Sequence, residues 1–239
     1  LPPKMETVLT VSMEEEQHKL YAANAMEARQ RLRQEGASLG SNKLAVLAVL
    51  TRLRQICCDP ALCYEDYQGG SAKLESCMEL LSEAAAAGHK VLLFSQFTSM
   101  LEIIRRRLEA EGLRYYLLQG STPKEKRAAM VDSFNRDATE VFLISLKAGG
   151  TGLNLTGADV VIHYDPWWNV SAQNQATDRA HRIGQKNSVQ VYKLIAAGTV
   201  EEKILRLQES KRELPDAVVR EGEGLLASMT ADQLLEILE

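Results

Sequence analysis

The chain has 239 residues, 45% of them hydrophobic and 25% charged, and a formal net charge of −4. Those proportions exclude a disordered or collagen-like chain, and the length is enough to bury roughly 70–75% of the unfolded surface without a disulfide or metal staple. The longest apolar run, Leu44–Leu50, is seven residues, far below the span of about 20 that a membrane helix needs, and Leu1-Pro2-Pro3-Lys4 does not begin a signal peptide.

In chain order, the first third reads as helical. Glu14–Gln34 is rich in Glu, Gln, Ala, Leu and Arg and contains no Gly or Pro, which suits a helix. Gly36, Gly40 and Ser41 break it, Asn42 caps a second helix to about Ile56, and Asp59-Pro60 ends that one. Tyr67-Gln68-Gly69-Gly70 reads as a linker. From residue 71 the pattern alternates. A helix over Leu74–Ala87 stops at Gly88, and Val91–Phe94 is a fully apolar strand. Ser99 with Glu102 forms a capping box for a helix that stops at Gly112. Tyr115–Leu118 is a strand, and Thr122-Pro123-Lys124-Glu125 opens a helix to about Asn135. Val141–Ser145, Val160–Tyr164 and Val189–Leu194 are further strands, with a helix from about Val170 to Arg182 between the last two. Thr199–Glu202 opens another helix, and Thr230 with Gln233 a final one.

Strand–helix–strand alternation with continuously apolar strands predicts an α/β domain over 71–198, a parallel sheet covered by helices on both faces. A helical segment over 1–70 precedes it, and an acidic helical extension over 199–239 follows.

The charge is uneven. Residues 1–70 carry 8 basic and 9 acidic side chains, residues 71–199 carry 15 and 13, and residues 200–239 carry 5 and 10. An acidic total therefore does not exclude nucleic acid as a partner. Cys57, Cys58, Cys63 and Cys77 match no paired Cys-x-x-Cys spacing, so free thiols are expected. His18, His89, His163 and His181 are scattered, and no metal site is expected. The chain reads as soluble and intracellular.

Ligands of open parallel sheets bind at the carboxyl ends of the strands. Three segments are placed there: Phe94–Phe97, Ser145–Leu155 and Gln175–Gln185. The glycines of Ala148-Gly149-Gly150-Thr151-Gly152-Leu153-Asn154-Leu155 lack the third glycine of a dinucleotide fingerprint. No Gly-Lys-Ser/Thr phosphate loop occurs anywhere in the sequence. The segment makes either a tight crossover or a set of exposed N–H groups that, with Ser145 and Lys147, bind phosphate oxygens. On the predicted helix Arg179 and Arg182 share one face. They are either solvated surface or a multi-donor clamp suited to phosphates.

Gly149–Leu155, Asp165-Pro166-Trp167-Trp168-Asn169 and Gln175–Gln185 resemble motifs five and six of the Swi/Snf family, DNA-translocating ATPases of the helicase-like superfamily two. Phe94-Ser95-Gln96-Phe97 is similar to its motif four. Gln119–Thr122, with Arg127 and Phe134-Asn135, is similar to the motif that follows. Arg54–Cys57 and Asp59-Pro60 resemble the helical insert leading into the second lobe. Val170 departs from the family, which commonly has Pro after the Asn.

The resemblance implies a RecA-like fold and a motor of two lobes with ATP and Mg²⁺ in the cleft between them. This chain looks like the second lobe, and neither a phosphate loop nor an Asp-Glu dipeptide occurs in it. Alone, it is expected to be inactive. By position, Arg179 and Arg182 resemble the arginine fingers, while Gly150, Gly152, Asn154 and Gln175 would line the nucleotide side. Ser95, Gln96, Ser121, Ser145 and Lys147 would face the backbone of double-stranded DNA without reading its sequence. Trp168, with Trp167, either plugs a core or lobe interface or couples DNA to ATP. The implied partners are duplex DNA and the N-terminal RecA-like lobe, with no membrane. A nucleic-acid or protein-binding module without ATPase work is the competing reading. The short insert around Gly36–Asn42 and the lack of a basic tail lean toward a cytoplasmic bacterial or archaeal protein; a eukaryotic one would be nuclear.

Overall fold

The computed structural model describes residues 1–35, 43–148, 152–167, 169–212 and 229–239. Asn42, Gly150 and Trp168 lie outside the described residues. The chain divides into two compact units. One comprises Leu1–Thr10, Lys73–Trp167 and Ser171–Ile195, the other Val11–Ala72, Trp168–Val170 and Ala196–Glu239.

The first unit is built on a six-stranded sheet. Its strands are β1 (Lys4–Val11), β2 (Val91–Ser95), β3 (Tyr115–Leu118), β4 (Val141–Ser145), β5 (Val160–His163) and β6 (Val189–Ala196), in the order β1-β6-β5-β2-β4-β3. The β2–β4, β2–β5, β3–β4 and β5–β6 pairings are parallel, and the register sets Ser95 beside Ser145 and Phe94 beside His163. The β1–β6 pairing is parallel too. Val189 N–H donates to Pro3 O at 3.0 Å and Ala197 N–H to Val11 O at 2.7 Å, so both chains advance together.

All five residues of β2 and of β4 are buried, as strands covered on both faces require. Leu92, Phe94, Phe142, Ile144, Val161, Val189 and Val191 form one core with Phe134 of α5 (Lys124–Arg136) and Ala176 of α6 (Val170–Thr177). Phe134 meets Phe142 edge-on at 5.2 Å, a geometry worth about 0.5–1.5 kcal/mol beyond burial alone. On the opposite face α4 (Thr98–Ala110) packs over β2 and β4, burying Met100, Leu101, Ile104 and Leu108. Glu75 of α3 (Ala72–Ala86) holds Arg107 of α4 in a two-pronged pair at 2.7 and 3.1 Å. The glycine predicted to end α3 does so, with Gly88 at φ +80° in the left-handed conformation that side chains with a Cβ avoid.

β1 corrects the helical reading of the first third. KMETVLTV is mostly exposed, as an edge strand is, and its mixed polarity carries no apolar run for a sequence reading to find.

Two predicted helix starts also shift. α4 begins at Thr98 with no side-chain cap from Ser99, because Ser95 Oγ accepts the Phe97 N–H at 3.1 Å and already fixes the turn. α5 begins at Lys124 after Pro123, because Thr122 Oγ1 accepts from the Gln119 N–H at 3.1 Å and is spent on the preceding turn.

The second unit is helical. It contains α1 (Glu15–Glu35), α2 (Lys43–Cys58), a 3-10 turn over Pro60–Leu62, α7 (Val200–Arg212) and α8 (Ala231–Leu238). Tyr21, Ala25, Leu32, Val46, Leu50, Leu53, Ile56, Val200, Leu234 and Ile237 share its core. Its helix ends are satisfied by distant side chains. Gln17 donates to the carbonyls of Ile56 and Cys57 at 3.0 and 3.4 Å. Tyr21 OH accepts the Val200 N–H at 2.8 Å, and Thr230 and Gln233 form the predicted capping box of α8. No disulfide joins the four cysteines, three of which are buried. Among the described residues no helix is long and apolar enough to cross a membrane.

Candidate functional site

Two clusters carry the candidate residues, both within the first unit. One stands at the carboxyl edge of the sheet, where β2, β3, β4 and β5 end. Ser95 Oγ donates to Asp165 Oδ1, and the Gln96 N–H donates to Asp165 Oδ2 at 3.2 Å. The Leu146 N–H donates to Ser95 O at 3.0 Å, and Tyr164 N–H to Phe94 O at 3.0 Å. One carboxylate thus sets the turn after β2. Arg127 of α5 then ties two loops together. Its guanidinium donates to Thr122 O at 2.8 Å, Gly120 O at 2.9 Å and Gln119 O at 3.3 Å on one side, and to Ala148 O at 3.0 Å on the other. The planar fork of an arginine suits such divergent acceptors.

Ser121 and Lys147 are exposed at this edge and Gln96 is half-buried. Ser95 and Ser145, in contrast, are 0% and 2% exposed. This corrects the expectation that their hydroxyls face a DNA backbone. They are the last residues of two central strands covered on both faces, and Ser95 is committed to Asp165 and Phe97. In this structure Ser95 braces the edge, and neither hydroxyl is presented at it.

The second cluster forms where the chain after β4 and the chain after α6 meet. The predicted helix to Arg182 ends at Thr177. Past Thr177 the backbone tightens, the Arg179 N–H donating to Ala176 O at 3.3 Å and the Ala180 N–H to Thr177 O at 3.1 Å, and the Arg179 carbonyl accepts the Leu155 N–H at 3.0 Å. The carbonyl of Ala180 accepts from Gln185 Nε2 at 3.0 Å. Arg179 and Arg182 therefore lie in a pinned turn beyond the helix, and the shared helix face expected for them does not form. The turn leads back toward the amino ends of β5 and β6, since Gln185 Nε2 also reaches Ala158 O at 2.7 Å and the Gln190 N–H donates to Asp159 O at 2.9 Å. The Gln175–Gln185 segment thus departs from the carboxyl edge where it was placed.

Arg179 is half-buried, with its guanidinium 5.9 Å from the Phe94 ring centroid, a cation–π distance. Its Nη1 is buried without a hydrogen-bond partner. Burial also holds its pKa below the ordinary value. A buried donor left unbonded costs about 1–3 kcal/mol and calls for an acceptor. Arg182 is exposed, as are Gly152, Asn154 and Gln175, the last one helical turn before Arg179. Asn135 of α5 braces the glycine segment, donating to Asn154 O at 2.8 Å and accepting the Gly157 N–H at 2.9 Å. A Cβ at Gly157 would stand 3.0 Å from the Asn135 Cα and 2.8 Å from its Oδ1, so only glycine permits that approach. His181 Nε2 lies 2.8 Å from Pro2 O, which fastens the turn to the start of the chain.

Arg127, Asn135, Asp165 and Gln185 are the residues whose work the sequence reading did not assign. All sit inside recognisable motifs, but each has a partner far along the chain, from 21 positions for Arg127 and Ala148 to 70 for Ser95 and Asp165. Among the described residues no group of His, Cys, Asp and Glu could hold a metal ion.

Residues 72–184 match the model of the helicase conserved C-terminal domain. The C-terminal domain of the Sulfolobus solfataricus SWI2/SNF2 ATPase superposes with a TM-score of 0.80 at 31% identity, covering 99% of this chain and 98% of that one. The core of the same ATPase in complex with double-stranded DNA gives a TM-score of 0.83 at 33% identity, covering 100% of this chain and 51% of that one. A putative ATP-dependent helicase/translocase of Bacillus subtilis, YwqA, is 39% identical over 99% of this chain and 26% of its own length. The chain spans about a quarter or less of the length of the curated relatives it matches. With its parallel sheet and covering helices, the fold is RecA-like, and the chain belongs to the SWI2/SNF2 ATPase family as the C-terminal lobe.

Proposed function

We propose that this lobe works in a DNA-translocating ATPase, completing from its pinned turn an ATP site held by a first lobe and carrying half of a duplex track on its carboxyl edge. The observation that carries the reading is the buried, unbonded Nη1 of Arg179, beside a loop that also presents Arg182. An anion entering there would satisfy the donor and neutralise a desolvated cation, and a terminal phosphate has the oxygens to do both. The phosphate-loop lysine and the Mg²⁺ ligands belong to the other lobe in this reading. Mg²⁺ supplies charge neutralisation of the phosphates when bound; Arg179 and Arg182 supply the remainder from this side. Gly152 and Asn154 line the approach.

On the carboxyl edge, Gln96, Ser121 and Lys147 offer an amide, a hydroxyl and one cation to phosphates. Neutral donors position a strand without reading bases, as a motor that steps over any sequence requires. The solved relative bound to double-stranded DNA supports a duplex as the ligand. In a protein joining this lobe to its phosphate-loop partner, Arg182→Ala should lower DNA-stimulated ATP turnover by about 10³-fold or more. Arg182→Lys should fail nearly as badly, since an ammonium lacks the planar fork. Retention of more than about a tenth of the wild-type rate by Arg182→Ala, against the loss of about 10³ that a finger implies, would remove the assignment.

A further inference from the structure

Gln185 is 8% exposed and reaches five backbone groups. Its Nε2 donates to Thr156 O at 3.3 Å, Ala158 O at 2.7 Å and Ala180 O at 3.0 Å. Its Oε1 accepts the N–H groups of Lys186 at 2.9 Å and Asn187 at 3.0 Å. Three carbonyls on one side and two amides on the other leave no ambiguity about which end is nitrogen. The amide serves both sets at once, but it is the donation to the three carbonyls that joins one chain to the other, the two accepted N–H groups being its immediate neighbours.

The groups joined are not arbitrary. Thr156 and Ala158 continue the glycine segment, and Ala180 lies between Arg179 and Arg182. The amide is therefore the cross-brace between the two chains that carry every residue we place on the nucleotide side. A second tie acts on the same turn, since the Leu155 N–H donates to Arg179 O at 3.0 Å. That bond holds Arg179 alone. The part of the turn bearing Arg182 is held by the Gln185 N–H on Arg182 O at 3.0 Å, the Arg182 N–H on Ala180 O at 3.2 Å and the His181 ring 2.8 Å from Pro2 O. It is the Gln185 side chain, however, that ties it to the glycine segment. Ile183, between them, is 90% exposed and adds no packing.

We infer that Gln185 is a positioning residue for phosphoryl transfer, holding Arg182 at the distance from the glycine segment that a transition state demands while contributing little to ground-state nucleotide binding. The inference rests on the arginine assignment above. A displacement of about 1 Å at a supporting residue can cost on the order of 10² in rate, and that is the effect a loosened brace should give.

The test uses the two-lobe protein with duplex DNA, ATP, ADP and ADP with aluminium fluoride as transition-state mimic. Gln185→Glu keeps the shape and the acceptor but turns oxygen toward three carbonyls. It should lower kcat by about 30- to 100-fold, with ADP affinity changed less than about threefold and affinity for the mimic falling in step with kcat. Gln185→Lys returns donors to the three carbonyls. It should recover most of the rate and the mimic affinity, and it decides the matter should Gln185→Glu fold poorly. Equal loss of ADP and mimic affinity in these variants, or no recovery in Gln185→Lys, would make Gln185 a structural residue only and overturn the inference. Were Arg182→Ala to keep its rate, the arginine assignment itself would fail; were Arg182→Ala inactive and Gln185→Glu as fast as wild type, the brace alone would fail.

Discussion

The carboxyl edge and the pinned turn solve opposite problems with the same backbone chemistry. At the edge, buried groups (Ser95, Asp165) and the Arg127 fork hold loops whose outward side is sparse, with Gln96 half-buried and Ser121 and Lys147 exposed. In the turn, Gln185 and Asn135 hold the chain so that a guanidinium can sit half-buried with one donor unbonded. The turn holds a buried cationic donor without a partner, whereas the edge offers the exposed side chains of Ser121 and Lys147. A surface that must release and rebind along a polymer gains from weak, interchangeable contacts. A surface that must stabilise one charge distribution gains from a fixed cation that has nowhere else to turn.

Arg179→Met should break that contrast most sharply. Removing a desolvated guanidinium whose Nη1 has no partner should leave the isolated chain as stable as before or up to about 1 kcal/mol more so in urea unfolding. In the two-lobe protein the same change should cost about 10³-fold in turnover. Loss of stability with retained turnover would make Arg179 part of the packing and nothing more.

Asp165→Ala is the matching change at the edge. It strands the Ser95 hydroxyl and the Gln96 N–H, and should destabilise the chain by about 2–4 kcal/mol, read from the urea midpoint. Ser95→Ala should cost less, about 1–2 kcal/mol, and should alter DNA affinity only as far as it disturbs the turn.

The centre of the sheet adds a pH dependence. His163 is 1% exposed, and burial pushes its pKa down to about 3. The unfolded chain, with an ordinary histidine near 6.5, therefore binds more protons through that window. Stability is fully present above about pH 6.5 and is lost as pH falls toward 3. Between pH 7.5 and 5 the loss from this group should be about 2 kcal/mol. His163→Gln should flatten that part of the urea-midpoint profile, and an unchanged slope would mean that the native ring takes up its proton over the same range as the unfolded one.

How much of this was legible in the sequence follows from where each partner lies. β4 occupies the predicted Val141–Ser145 because a strand buried on both faces advertises itself as a short apolar run. β3, a half-buried edge strand, still occupies the predicted Tyr115–Leu118 because its four residues are all aromatic or aliphatic. β1 is an edge strand with exposed, mixed residues and no such run. Helix ends failed where a distant group intervened. Leu155 and Gln185 hold the carbonyls of Arg179 and Ala180 in the turn that follows α6, and Ser95 displaces the cap expected of Ser99. The motifs marked which segments matter, but not which side chains face outward. Ser95 and Lys147 read alike as phosphate ligands, and only the register of the covered sheet distinguishes a brace from a contact.

The smallest predicted effect is also half of the most direct test. In the two-lobe protein, DNA binding is measured by fluorescence anisotropy across salt, and ATP turnover at saturating DNA, for Lys147→Ala and Arg182→Ala side by side. The division into a track and a nucleotide turn predicts that Lys147→Ala lowers the salt slope by about one, alike for different sequences, and leaves saturated turnover within about twofold of wild type. It predicts that Arg182→Ala leaves DNA affinity and salt slope unchanged and loses about 10³ in turnover. Both variants altering the same quantity, or Lys147→Ala changing sequence preference with its salt slope intact, would contradict it.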